Sequence, residues 1–190
     1  CAYTETSVAF KLDLQMVRNK VNSVGAQLFV DATGSIGLED HHELADVLAF
    51  SSCKGLFGLT GACFIGHKQG LIAKDSRHFY FNIDTHKNKM VTGPYHAIAS
   101  LYGVIKKHSL FRQRVINSKN HILNKYKDIV RGSHQPLLCT YIEGEVVACD
   151  DHVVLYSPRS ELSGSVICHF GEIHHDVINI DKRIEVKPLI

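Results

Sequence analysis

The chain has 190 residues, 45% of them apolar, enough to bury a sizeable core. Its 21 basic and 19 acidic residues give a formal charge of +2 with both signs interspersed, which excludes the strongly basic surface of a nucleic-acid binder. No apolar run reaches the roughly 18 residues that a membrane span needs, so no membrane partner is expected. The start, Cys1-Ala2-Tyr3-Thr4-Glu5, has neither an initiator Met nor a signal-peptide pattern. The six cysteines lack CxxC spacing and read as reduced, buried small residues of a cytoplasmic protein.

In chain order, Leu14, Val17, Val21 and Val24 recur at helical spacing, and Gly25 stops that helix. A strand is expected over 27–30, ending at Asp31, followed by a turn at Ala32-Thr33-Gly34-Ser35. Residues 40–45 read as a short helix, 47–50 and 62–65 as strands, and 70–80 as irregular or partly helical. Phe79 to Ile83 reads as a strand or extended segment, and Asp84 to Lys89 as a polar stretch. A long helical pattern runs from about Tyr95 to Val130, with a break expected at His108-Ser109. The tail alternates short strands (Leu137–Tyr141, Val146–Ala148, Val153–Tyr156 and Val166–Phe170) with turn residues and ends in a last helix. The division expected is 1–130, an α/β domain with its connecting helix, and 131–190, a small α+β domain.

The chemistry concentrates between Phe29 and Gly66. Asp31 closes one apolar run, and Lys54 follows another, Val47-Leu48-Ala49-Phe50, through Ser51-Ser52-Cys53. A glycine-rich segment, Gly55 to Gly61, then leads into Ala62-Cys63-Phe64-Ile65. Three short strands in this order would set Asp31 and Lys54 at neighbouring strand ends, where α/β folds place their ligands. A carboxylate and an amine facing one crevice fit pyridoxal phosphate, which needs a lysine for its Schiff base and an acid for its pyridine nitrogen. The doublets His41-His42 and His174-His175 put adjacent side chains on different faces, and no His-x-x-x-His pair supports them, so no metal site is expected.

These residues, Val30-Asp31-Ala32 followed by Ser52-Cys53-Lys54-Gly55, resemble the class V branch of the fold-type I pyridoxal-phosphate aminotransferases. Within it, the 2-aminoethylphosphonate–pyruvate aminotransferases are most similar and the alanine–glyoxylate aminotransferases next. Further segments fall in the family's order: Tyr3-Thr4-Glu5-Thr6-Ser7, Thr92-Gly93-Pro94-Tyr95-His96, Val154 to Pro158, and Ile167 to Ile173.

The resemblance implies a fold-type I large domain followed by a small α+β domain, a homodimer, and pyridoxal 5'-phosphate held as a Schiff base on Lys54. Asp31 would pair with the ring nitrogen. Thr6, Thr33 and Ser52 would lie about the cofactor, and Thr92 would reach the partner subunit's phosphate. Small amines and keto acids such as pyruvate would be the substrates. Enzymes of this family are about twice as long, so this chain corresponds to their later part and is not expected to be competent alone. Two positions depart from the pattern. Tyr3 stands where the family carries histidine, and His169 stands where an arginine grips the substrate carboxylate, with Arg159 as a substitute cation. A lyase or desulfurase using the same cofactor, and a non-catalytic structural homologue, remain open alternatives.

Overall fold

The computed structural model describes residues 1–71, 82–88, 93–130, 132–149, 154–156, 158, 163–169 and 184–188. The chain opens with Cys1 to Tyr3 running parallel to strand β3 (Phe29–Asp31), bridged through Ala2 and Asp31. A short antiparallel hairpin follows, β1 (Thr4–Glu5) with β2 (Phe10–Lys11), a feature without a clear periodic signal in the sequence. Its turn is closed by Glu5, whose carboxylate accepts from the Ser7 N–H and hydroxyl. Helix α1 (Leu14–Ser23) starts at Asp13, whose side chain accepts from the Met16 N–H, and stops ahead of Gly25 as expected.

Strand β3 pairs in parallel with β4 (Val47–Ser51), which pairs antiparallel with β5 (Cys63–His67). The short helix expected over 40–45 is a single 3-10 turn, His42–Leu44. One face of this sheet packs on α1 through Leu14, Leu28, Val30, Leu48 and Phe50. The alternation along β3, with Val30 buried and Phe29 and Asp31 exposed, follows from the two-residue period of a strand.

Helix α2 (Ile83–Asn88) falls where a strand end and a polar stretch were expected. Asn82 explains the difference, because its side chain accepts from the Thr85 N–H and caps the helix. The long helical pattern divides into α3 (Tyr95–Ile105) and α4 (His108–Lys125), with the break at Lys106-Lys107, two residues before the place expected.

The later part of the chain forms two small sheets. Strands β6 (Cys139–Ile142), β8 (Val154–Tyr156) and β9 (Ser165–Cys168) make an antiparallel sheet in the order β6-β9-β8. Strand β7 (Gly144–Ala148) pairs with β10 (Ile184–Pro188). The tail was expected to end in a helix; 170–183 lie outside the described residues, and β10 is a strand. Its pattern is period two, with Ile184 buried and Glu185 and Lys187 exposed.

Helix α4 packs on these sheets through Ile122 against Ile142, Val146, Ile167 and Ile184. A further cluster joins Ala9, Leu38 and Phe57 to Val115, Leu138, Tyr141 and Val166, so residues on both sides of position 130 share one core. The six cysteines are free, but only Cys139 and Cys168 are buried. Cys1, Cys63 and Cys149 are exposed, which corrects the expectation of burial. Cys63 lies on the sheet face opposite α1.

Asp46, just before β4, ties this layer together. Its carboxylate accepts from Arg18 of α1, from Lys68 beyond β5 and from the Leu28 backbone ahead of β3. The Arg18 hydrogen bond first, then those from Lys68 and Leu28, hold the carboxyl well below the usual carboxylate range. Its contribution is therefore complete above the unfolded-chain value of about 4 and is lost as the pH falls through the folded value. Asp46→Asn is expected to lower stability by about 1–3 kcal/mol at neutral pH and to flatten the acid side of the stability profile. Urea unfolding across that range checks this; an acid limb identical to the parent's contradicts it.

Candidate functional site

Three chain segments deliver their carboxyl ends to one edge of the first sheet. Cys1 to Tyr3 leads to Thr4 and Thr6, β3 ends at Asp31, and β4 runs through Ser51-Ser52-Cys53 to Lys54. The parallel register pairs Asp31 with Ala49, so the acid and the lysine leave their strands on the same side of the sheet.

Lys54 opens a 3-10 turn, Lys54–Leu56, with a backbone φ of 46°, and Phe57 after it has φ of 60°. Left-handed backbone at a residue with a side chain costs about 1–2 kcal/mol and persists only where the surroundings enforce it. The Lys54 amine, half-buried, donates to the Thr6 hydroxyl at 3.1 Å. Lys54 and Thr6, each expected at the cofactor, are thus brought together.

Asp31 is exposed, and one of its carboxylate oxygens accepts from the Thr33 N–H at 2.9 Å. Thr33 links the acid to the lysine turn. Its hydroxyl accepts from the Ser51 N–H at 3.3 Å and its carbonyl from the Gly55 N–H at 3.2 Å. The Thr4 hydroxyl is buried and has no hydrogen-bond partner among the described residues.

Ser52, expected about the cofactor, is bonded within its own loop. It is fully buried, donates to the Leu59 carbonyl at 2.5 Å and accepts from the Ala62 N–H at 3.2 Å. Those bonds close the glycine-rich loop on itself. Helix α3 holds the same loop from outside, where the Ser100 hydroxyl accepts from the Leu59 N–H at 2.9 Å. Helix α4 does so through His108, whose Nε2 lies 2.9 Å from the Gly55 carbonyl oxygen. Thr92 and Arg159 lie outside the described residues.

His169, expected at a substrate carboxylate, does not line an open cleft among the described residues. It is fully buried between α4 and β6, within a network the sequence did not reveal. The Lys119 amine donates to the carbonyls of Pro136 and Cys139, at 2.8 and 2.7 Å, and to the Thr140 hydroxyl at 3.3 Å. The Thr140 hydroxyl, which accepts from Lys119, also lies 2.8 Å from His169 Nε2. His169 Nδ1 lies 3.0 Å from the Ser118 hydroxyl, so both ring nitrogens have a hydroxyl partner. Burial, and after it the Lys119 charge, pushes the ring well below its ordinary pKa, so it stays neutral. Burial likewise brings the Lys119 amine down to about 8. Lys119 escaped notice in the sequence because it sits inside a polar helical row, where solvated side chains are the rule, and His108 reads only as a helix break.

The residues at the sheet edge fit pyridoxal phosphate in their chemistry. An amine in a turn held from several sides, a carboxylate on the adjoining strand, and the unpartnered Thr4 hydroxyl at the same edge form a donor set of the type the cofactor needs.

The lysine turn depends on a close approach at Gly55, where a Cβ would sit 2.3 Å from the Ile36 carbonyl oxygen. Gly55→Ala is expected to displace the turn and lower stability by about 1–3 kcal/mol, measured by urea unfolding. A variant as stable as the parent contradicts this packing.

No family model and no curated protein matches the chain in sequence. Solved structures do match in fold. Alanine–glyoxylate aminotransferase from Nostoc sp. matches with a TM-score of 0.63 at 15% identity, covering 92% of this chain and 60% of its own. Aspartate aminotransferase from Thermus thermophilus matches with a TM-score of 0.69 at 13% identity, over 95% and 61%. Pyridoxamine–pyruvate aminotransferase from Mesorhizobium loti matches with a TM-score of 0.68 at 16% identity, over 98% and 60%. The chain has the α/β fold of fold-type I aminotransferases and spans about three-fifths of the length of these structures.

Proposed function

We propose that the protein is a class V aminotransferase dependent on pyridoxal phosphate, working as a homodimer. It passes an amino group from a small amine or amino acid to a keto acid. The observation that carries this reading is the parallel pairing of β3, which ends at Asp31, with β4, which leads through Ser51-Ser52-Cys53 toward Lys54. The fold neighbours support it, and their names favour an acceptor such as glyoxylate or pyruvate. The motif resemblance favours a 2-aminoethylphosphonate-like donor.

Lys54 would hold the cofactor covalently, Asp31 its ring nitrogen, and Thr6 would orient the lysine amine. Thr33, through its bonds to Asp31 and Gly55, keeps acid and amine in register. When bound, pyridoxal phosphate supplies the electron sink that lets a carbon–hydrogen bond beside nitrogen break and re-form. The chain's own part is proton handling. Lys54 Nζ would take the proton from the donor's amine-bearing carbon and deliver it to the cofactor carbon on the far side of the nitrogen, its origin fixed by the turn. The Asp31 carboxylate keeps a proton on the ring nitrogen by charge-assisted hydrogen bonding. Thr92 joins the site across the dimer in this reading.

In the protein carrying this chain, Lys54→Ala is expected to abolish amino transfer to pyruvate or glyoxylate. Asp31→Asn is expected to reduce it by about 10²-fold, the scale of losing one preorganised electrostatic contact. Steady-state assays of both variants check the reading, and near-normal rates in either one contradict it.

A further inference from the structure

We propose that His108 is a positioning residue for Lys54, fixing the turn that carries the amine by donating a hydrogen bond to the Gly55 carbonyl. Its catalytic meaning rests on the aminotransferase reading, but its geometry does not. The turn is unfavourable left to itself, since Lys54 and Phe57 both hold left-handed backbone. Its internal bonds are few: Phe57 N–H to the Lys54 carbonyl at 2.9 Å and Leu56 N–H to the Cys53 carbonyl at 3.4 Å. The turn therefore needs support from outside.

His108 provides it from the first residue of α4. A carbonyl only accepts, so the ring proton must sit on Nε2, 2.9 Å from the Gly55 oxygen. The ring is wedged in a slot. One wall is Phe57, with ring centroids 5.1 Å apart and tilted by 34°. The other is the backbone of Gly37, where a Cβ would lie 2.7 Å from both Cε1 and Nε2. Gly37 has φ of 76°, a conformation that glycine adopts without cost, so the slot is shaped for the ring.

The far half of the same 18-residue helix is anchored in the small sheets by Ser118, Lys119 and Ile122. His108 thus transmits a rigid reference point to the lysine turn. Releasing the Gly55 carbonyl lets the turn relax toward ordinary backbone, which moves the Lys54 amine away from Thr6 and from the edge occupied by Asp31.

The test uses the cofactor-free protein and two readouts. One is hydrogen–deuterium exchange of the Gly55 and Phe57 amides, with the Asp46 amide in the first sheet as control. The other is the rate of reductive methylation of Lys54 relative to Lys68, read by peptide mass spectrometry. His108→Phe keeps the ring against Phe57 but removes the donor. It is expected to speed exchange at Gly55 and Phe57 by about five- to tenfold, the loss of one hydrogen bond. The Asp46 amide should stay unchanged while the Lys54 labelling ratio shifts.

His108→Gln, which retains an N–H at the same reach, is expected to restore both readouts. Gly37→Ala, which pushes the ring out of its slot, is expected to reproduce the defect without touching His108, and it serves also if His108→Phe does not fold. Parent-like turn exchange and labelling in His108→Phe and Gly37→Ala would overturn the proposal. So would equal acceleration at Asp46, which would mark a general packing role. Failure of the unaltered protein to bind pyridoxal phosphate would overturn the aminotransferase reading and leave these rates where they are.

Discussion

Parallel pairing of β3 with β4 is the constraint on which the rest of the structure depends. Antiparallel neighbours would send Asp31 and Lys54 to opposite ends of the sheet. Parallel pairing needs a crossover, and the segment from Ala32 to Asp46 supplies it, folded through tight turns and a single 3-10 turn rather than a long helix. Register matters as much as direction. With Asp31 opposite Ala49, the acid ends its strand just before the chain turns toward Lys54. A slip of one residue would turn Asp31 toward α1, set a carboxylate against Leu14 and carry Val30 out to the exposed face. The hydrophobic face of β3 thus fixes the orientation of the polar one.

The second requirement is a backbone that would not form unaided. Lys54, which opens the lysine turn, and Phe57, which follows it, hold left-handed backbone, and three neighbours hold the turn: Thr33 from the β3 end, Ile36 by close approach at Gly55 and His108 from α4, while Ser100 of α3 holds the loop after it at Leu59. Strain of this kind gathers where a side chain must be aimed rather than merely accommodated. The shared core of Phe57, Leu38, Val115 and Leu138 gives the turn a rigid base and connects it to the small sheets. Helix α4 touches both ends of this arrangement, at His108 and at the Lys119 network.

Much of this was legible in the sequence where one local rule dominates. The strands β3 and β4, with Asp31 at the end of one and Lys54 just beyond the other, could be read from apolar runs bounded by glycine and serine. The start of α1 was legible from its spacing, and the structure adds its Asp13 cap. What could not be read depends on contacts distant in sequence. Ser52 looked like a hydroxyl free for a ligand, but its partners Leu59 and Ala62 are set by how the glycine-rich loop closes. His169 looked like a substrate ligand by position, yet its partners come from α4 and β6, which only the packed fold brings together. Helix α2 and strand β10 did carry local signals, Asn82 as a cap and the alternation Ile184-Glu185-Val186-Lys187, and short elements with such weak signals are easily misassigned.

The central claim is that Lys54, and no other lysine of this chain, is the amine presented to a carbonyl cofactor. Borohydride reduction of the protein after incubation with pyridoxal phosphate, followed by peptide mass spectrometry, tests it most directly. The account predicts a single reduced adduct, on the peptide containing Lys54. No adduct, or one carried chiefly by the buried Lys119 or by a surface lysine such as Lys68, would contradict it.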